Sequence, residues 1–310
     1  MSLISHFQSA IGVTGPVLII LVMGMFLKRI ALLNANFVQI GNKLVFNVAL
    51  PSLLFLSTGS GSITQNLNLP LVIYAVLATV ASVLVVWLIA RSTLEASKVG
   101  VFTQCAFRGN MGIIGLALCV NAFGDQVVAK AAVYLAFLTI VYNLLSVLLL
   151  SNSKSNVLKK IAKNPLIIAI VCGGAWSLLK IPMPNVMQLS LGYLSQLTLP
   201  LALLCIGASL DWHSFKANHQ QALAATCLKL IILPASIVVI GIYLNFAPEA
   251  LGILFLMMAT PTAAAAYVMS KQMTEHGNLA AEIITLSTAL SPLTVTLGLI
   301  VLSYFEYIPS

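Results

Sequence analysis

Residues 107–115 read FRGNMGIIG, at the centre of an apolar run extending over roughly 98–122. Gly109, Gly112, Gly115 and Asn110 put weak helix formers where a membrane-crossing helix needs its strongest ones. A second weak point, Ala259-Thr260-Pro261-Thr262, sits at the centre of a run over roughly 248–271. There Pro261 removes a backbone donor and clashes with the preceding turn. One such point by itself means close helix packing or a simple kink. Two of them, at mid-depth in corresponding runs, predict a pair of helices that are unwound in the middle and cross each other.

Around these points the chain is almost entirely apolar. Hydrophobic residues make up 60% of the 310 and charged residues 7%, against about a quarter charged in an average soluble protein. That composition excludes a soluble enzyme, a nucleic-acid-binding module and a disordered chain. The net charge of +8 comes from 15 Lys and Arg scattered between apolar runs, not from a basic face. The chain therefore reads as a polytopic protein whose solvent is the lipid bilayer. Only helices and closed barrels satisfy their backbone in lipid, and continuous runs without two-residue alternation exclude a barrel. At about 20 apolar residues per crossing, ten helices fit, near 8–28, 34–57, 68–91, 98–122, 127–151, 164–180, 185–210, 218–246, 248–271 and 277–304. The N-terminal stretch lacks the basic start and cleavage site of a secretory signal, so the first run is expected to be a retained helix.

Lys and Arg set the orientation, because short cytoplasmic loops carry them in excess. Lys28, Arg29, Arg91, Lys98, Lys154, Lys159, Lys160, Lys163, Lys216 and Lys271 fall on one side, and Lys130 and Lys180 on the other. The expectation is a multi-pass protein of the cell (inner) membrane with both termini outside the cytoplasm.

The two halves echo each other. Pro16 and Pro51 have the same separation as Pro165 and Pro200, which defines an offset of 149 residues. Under it Gly24 falls on Gly173 and Asn47 on Gln196, so that each half carries an amide four residues before a proline. Residues 1–151 are thus expected to form one five-helix repeat, 152–163 a basic cytoplasmic linker, and 164–310 a second repeat. Five is odd, so the repeats must be inverted, an arrangement found in many secondary transporters.

Four stretches also carry a family resemblance: GNKLVFNVALPSLLF (41–55), FRGNMGIIGLALCVNAFG (107–124), LKLIILP (228–234) and ATPTAAAAYVMSKQ (259–272). In this order they resemble the auxin efflux carrier family, bacterial members included, over essentially the whole chain. The resemblance implies ten helices in two inverted repeats with crossed helices four and nine, a scaffold and a transport domain, a homodimer through the scaffold, and an organic carboxylate as cargo. Two features depart from it. Ala117 stands where the family often has a proline after the Asn-x-Gly-x-x-Gly stretch, so the first break rests on glycines. The long hydrophilic central loop of the plant members is absent, which points to a bacterial-type carrier.

The candidate substrate site is the crossing: Arg108, Gly109, Asn110, Gly112, Thr260, Pro261 and Thr262, joined by Asn47 and Gln196. Lys43 and Lys229 are candidate electrostatic partners. Three deep cations, Lys43, Arg108 and Lys229, against one acid, Glu282, point to an anionic substrate. Arg108 has two readings, a bidentate contact to carboxylate or neutralisation of carbonyls freed at the break. Lys229 reads better as a tie to a helix C-terminus than as a substrate contact. Lys43 either snorkels to the inner interface or shares a stripe with Asn47 and Pro51.

No Asp lies within a span and neither break holds an acid, which favours uniport or proton-linked transport. The five cysteines read as small buried hydrophobes, with no metal or cofactor spacing. His6, His213, His219 and His276 read as loop or terminal residues, so enzymatic chemistry is not expected. Trp87, Trp176 and Trp212 read as interface anchors. The competing readings are an anion channel and a non-transporting sensor of the same fold. Malonate, malate, oxalate-like diacids and aromatic monocarboxylates all fit an anion site.

Overall fold

In the computed structural model the described residues are 3–59, 68–150, 163–210 and 218–309. Of the expected linker only Lys163 is among them. Asp211, Trp212, His213 and Lys216, with the basic residues 154, 159 and 160, lie outside the described residues.

The described residues form helices: α1 (Leu3–Arg29), α2 (Ala35–Gly59), α3 (Leu69–Thr93), α4 (Ala96–Phe107), α5 (Met111–Phe123), α6 (Asp125–Leu150), α7 (Pro165–Leu178), α8 (Asn185–Ser209), α9 (His219–Tyr243), α10 (Pro248–Met258), α11 (Ala264–Met273) and α12 (Gly277–Tyr304). Seven of them (α1, α2, α3, α6, α8, α9 and α12) are long and apolar enough to cross a membrane. The expected fourth and ninth spans are each divided, into α4 with α5 and α10 with α11. The expected sixth, α7, has only 14 residues. His6, expected in a loop or terminus, instead lies inside α1, buried and edge-on to Tyr304. α1 begins at Leu3, ahead of the expected start near residue 8.

Local chemistry starts the helices. Asn34, Asn68 and Asn164 cap α2, α3 and α7, each accepting from a backbone N–H of the first turn. Pro70 and Pro165 follow two of these caps within the first turn, where the missing N–H has no intrahelical partner to lose. Inside α2 the helix widens to a π-type turn over Val45–Ala49, immediately before Pro51. Inside α8 a turn at Leu197 interrupts the helix just before Pro200. Proline cannot donate to the residue four before it. The carbonyls released are those of Asn47 and Gln196, and the helix distorts at that register both times.

α1 packs chiefly on α8 and α12, and α2 on α7 and α8, while α3, α4 and α6 pack together and both α9 and α11 pack on α12. Two glycine contacts repeat at one offset. A Cβ on Gly24 would collide with Leu204 O and lie 3.1 Å from Ala208 N of α8. One on Gly173 would lie 2.7 Å from Phe55 O and 3.2 Å from Gly59 N of α2. Gly24 and Gly173, Phe55 and Leu204, and Gly59 and Ala208 are each 149 residues apart. The two close approaches therefore share one register. Leu77, Leu88, Val171 and Leu293 are among the large apolar side chains left outward-facing. Lipid makes that placement favourable where water would not.

Candidate functional site

α4 ends at Phe107 and α5 begins at Met111; α10 ends at Met258 and α11 begins at Ala264. The two gaps meet side by side. Gly109 and Thr262 form an isolated antiparallel bridge, closed by Asn110 N–H donating to Pro261 O (2.8 Å) and Ala263 N–H donating to Arg108 O (2.9 Å). The unwound backbones thus satisfy each other in place of the helical bonds they have lost. Gly109 is required there, since an added Cβ would collide with Thr260 Oγ1 and lie 3.0 Å from Lys229 Nζ. Gly112 is under no such constraint, its nearest neighbour for a Cβ being Leu50 at 3.5 Å.

Two helix C-termini and two helix N-termini converge on this bridge, and they are treated differently. The carbonyl ends are capped from within. Thr262 Oγ1 donates to Cys105 O of α4 (2.7 Å). Thr260 Oγ1 donates to Met257 O of α10 (2.8 Å). Lys229 Nζ reaches from α9 to Met258 O (2.7 Å). At the other ends the first intrahelical donors are Ile114 N–H, to Asn110 O, and Ala266 N–H, to Ala263 O. The N–H groups of Met111, Gly112, Ile113, Ala264 and Ala265 precede them and have no intrahelical acceptor. The half-buried Asn110 side chain makes no hydrogen bond among the described residues. With its negative helix ends quenched and its positive ends open, the crossing is electrostatically suited to an anion.

The structure sorts the expected site residues. Gly109, Asn110, Thr260, Pro261 and Thr262 come together at the bridge. The Thr260 and Thr262 hydroxyl protons are already donated to carbonyls, and Thr262 N–H donates to Ser287 Oγ (3.1 Å). Both hydroxyls thus cap helix ends. The guanidinium of Arg108 turns to α6. It donates to Ser146 Oγ (2.7 Å), Asn143 Oδ1 (2.8 Å) and Tyr142 O (3.3 Å). Asn47 is exposed and donates to Lys43 O (2.8 Å); Gln196 and Lys43 are also exposed. Gly112 lies in the first turn of α5, beside Leu50 of α2. Ser146, Asn143 and Ser287 belong to the polar shell of the crossing and were not anticipated, since a serine or asparagine in an apolar helix carries no signal of what it faces.

A model of the membrane transport protein family matches residues 11–154 and 147–299. An uncharacterized transporter of Methanothermobacter thermautotrophicus is 26% identical over 291 residues, spanning 92% of this chain and 96% of its own length. The uncharacterized transporter MJ1031 of Methanocaldococcus jannaschii is 25% identical over 300 residues, 91% of this chain and 95% of its own. The uncharacterized transporter YfdV of Escherichia coli is 25% identical over 283 residues, 84% of this chain and 88% of its own.

Proposed function

This chain belongs to the membrane transport protein family, of auxin efflux carrier type, and from that premise we propose that it is a secondary transporter of a small organic carboxylate. The anion binds at mid-depth beside the α4–α5 and α10–α11 crossing and moves by alternating access. One observation carries the reading. All three donors at the carbonyl ends of the broken helices are spent on those carbonyls, while the N–H ends and the Asn110 amide are not. A carboxylate brings the acceptors that these groups lack. No cofactor or metal is needed for such a cycle.

The ten-span, inverted-repeat architecture accompanies this reading. Its support is the shared register of the Gly24 and Gly173 approaches and of the distortions before Pro51 and Pro200. In that arrangement both termini face outward across the cell membrane and the basic loops face the cytoplasm. α1, α2, α7 and α8 act as a scaffold, the remaining helices as the moving part, and a homodimer forms through the scaffold.

The test is a thermal-shift screen of the purified protein against malonate, malate, oxalate and benzoate, since a ligand selective for the folded state stabilises by mass action. At least one carboxylate should raise the melting temperature. Asn110→Ala should weaken its binding by about 1.5–3 kcal/mol, the range for a hydrogen bond to a charged group. No shift with any of the four, or unchanged affinity in a folded Asn110→Ala protein, refutes the assignment.

A further inference from the structure

A cavity of about 10 Å³ lies against the crossing, lined in part by Thr79 and Ser82 of α3, Phe107, Tyr142 of α6, Lys229 of α9 and Met258. It is large enough for about one water molecule. Ser82 donates to Ala78 O. The buried Thr79 Oγ1 has no hydrogen-bond partner among the described residues, and the Tyr142 hydroxyl faces the backbone N–H of Gly109 at the bridge. Lys229 is 2% exposed, and its bond to Met258 O uses one of the three protons of an ammonium group.

Lys229 forms no ion pair among the described residues. The ionisable groups on neighbouring elements are otherwise engaged or neutral. Tyr142 shares the cavity. Arg108 points to Asn143 and Ser146. Cys105 of α4 is a buried thiol. Tyr74 of α3 donates to Ile237 O. Glu249 of α10 pairs with Lys130. Glu282 of α12 accepts from Asn218, eleven residues before Lys229 and about 16 Å away along the helix. Lys271 of α11 is exposed, over the Tyr267 ring.

Two opposed effects act on Lys229. The carbonyl end of α10 favours a cation at Nζ. Burial without an acid partner disfavours one by several kcal/mol. An anion arriving at the crossing tips that balance toward the protonated form, because Gly109 lies at the bridge and an added Cβ on it would be 3.0 Å from Nζ.

We infer that Lys229 is the proton site of the carrier, taking up one proton as the carboxylate binds from outside and releasing it with the carboxylate inside. This deepens the carrier reading and rests on it. The amine lone pair forms the N–H bond with a proton from water on the outer side. That bond breaks to water on the inner side, with the Thr79 and Tyr142 hydroxyls that line the cavity as relay. One proton travels with each anion, which leaves no net charge for a univalent carboxylate and one negative charge for a dicarboxylate.

Two measurements test this. In protein labelled with ¹⁵N at the lysine side chains, the resonance missing from Lys229→Arg should change from ammonium to amine as pH rises to 9, while exposed lysines stay ammonium. An ammonium signal throughout overturns the proposal whether or not the protein is a carrier. In proteoliposomes, the carboxylate giving the largest thermal shift should accumulate about tenfold in response to one pH unit, acid outside, for a univalent anion, with no change on replacing sodium by potassium. Lys229→Arg keeps the tie to Met258 O but cannot release a proton, so it should bind the carboxylate and lose the response to pH. Lys229→Met should lose the response as well. Wild-type accumulation indifferent to pH, or either variant responding like wild type, overturns the proposal. No binding or flux of any carboxylate by wild type refutes the carrier reading instead.

Discussion

Gly109→Ala places one methyl group at the point where the two broken helices touch, and its cost follows from the contacts there. The new Cβ would collide with Thr260 Oγ1, itself held by its bond to Met257 O. On the other side it would meet Lys229 Nζ at 3.0 Å, held to Met258 O. Neither neighbour is a free chain end, so the backbones must separate. Overpacking a buried site costs typically about 1–3 kcal/mol. Separation also stretches the Asn110–Pro261 and Ala263–Arg108 hydrogen bonds, each worth about 0.5–1.5 kcal/mol net. The expected loss is about 2–6 kcal/mol, the upper end applying if both bonds break, read as a lowered midpoint of denaturant unfolding in micelles without ligand. Gly192→Ala is the matched control. It lies in α8 with nothing within 4 Å of an added Cβ, so relief of glycine's entropy cost should stabilise by about 0.5–1 kcal/mol. Gly109→Ala as stable as wild type would refute the close crossing of the breaks.

Thr262→Val removes the donor to Cys105 O and leaves a buried carbonyl unpaired, which should cost about 1–3 kcal/mol in the same unfolding assay; Thr262→Ser, keeping the hydroxyl, should recover most of it. Arg108→Gln gives up a guanidinium held by Ser146, Asn143 and Tyr142 O, so ligand-free melting should fall while carboxylate affinity in the folded fraction is retained. The reverse pattern would place the anion on Arg108. The Lys130–Glu249 pair is 39% and 45% exposed at 2.7 Å, and a double-mutant cycle should find a coupling of about 0–1 kcal/mol that shrinks with added salt; a salt-insensitive coupling above that range would mean the pair is desolvated in solution.

The breaks were legible because they are local. Glycine, asparagine and proline act on the backbone within one turn, so their positions forecast gaps at 108–110 and 259–263 without knowledge of any neighbour. The roles of Thr260, Thr262 and Arg108 were not legible. A threonine at a break offers its hydroxyl equally to a ligand or to a carbonyl, and the choice depends on what packs beside it. Thr262 finds Cys105 O, 157 residues away in sequence. Arg108 finds Ser146 on a helix whose inward face composition does not mark. Lys229 differs, since the tie to a helix C-terminus read from its position in the run is the contact it makes, at Met258 O.

Sequence by itself determined that this protein lives in lipid, that its elements are helices, and where those helices fail. Each of these follows from transfer free energy or from backbone chemistry summed over neighbours in the chain. Tertiary structure alone decided which helix ends are quenched and which stay open, because that depends on hydrogen bonds between residues far apart in the chain. The proposal of an anionic cargo rests on this unequal pairing. Three donors, the buried Lys229 among them, are spent on carbonyls, and five backbone N–H groups are left without an intrahelical acceptor. In an apolar interior an unpaired polar group costs kcal/mol and cannot turn to water, so the pattern of pairing, more than the residue types present, sets the chemistry of the site.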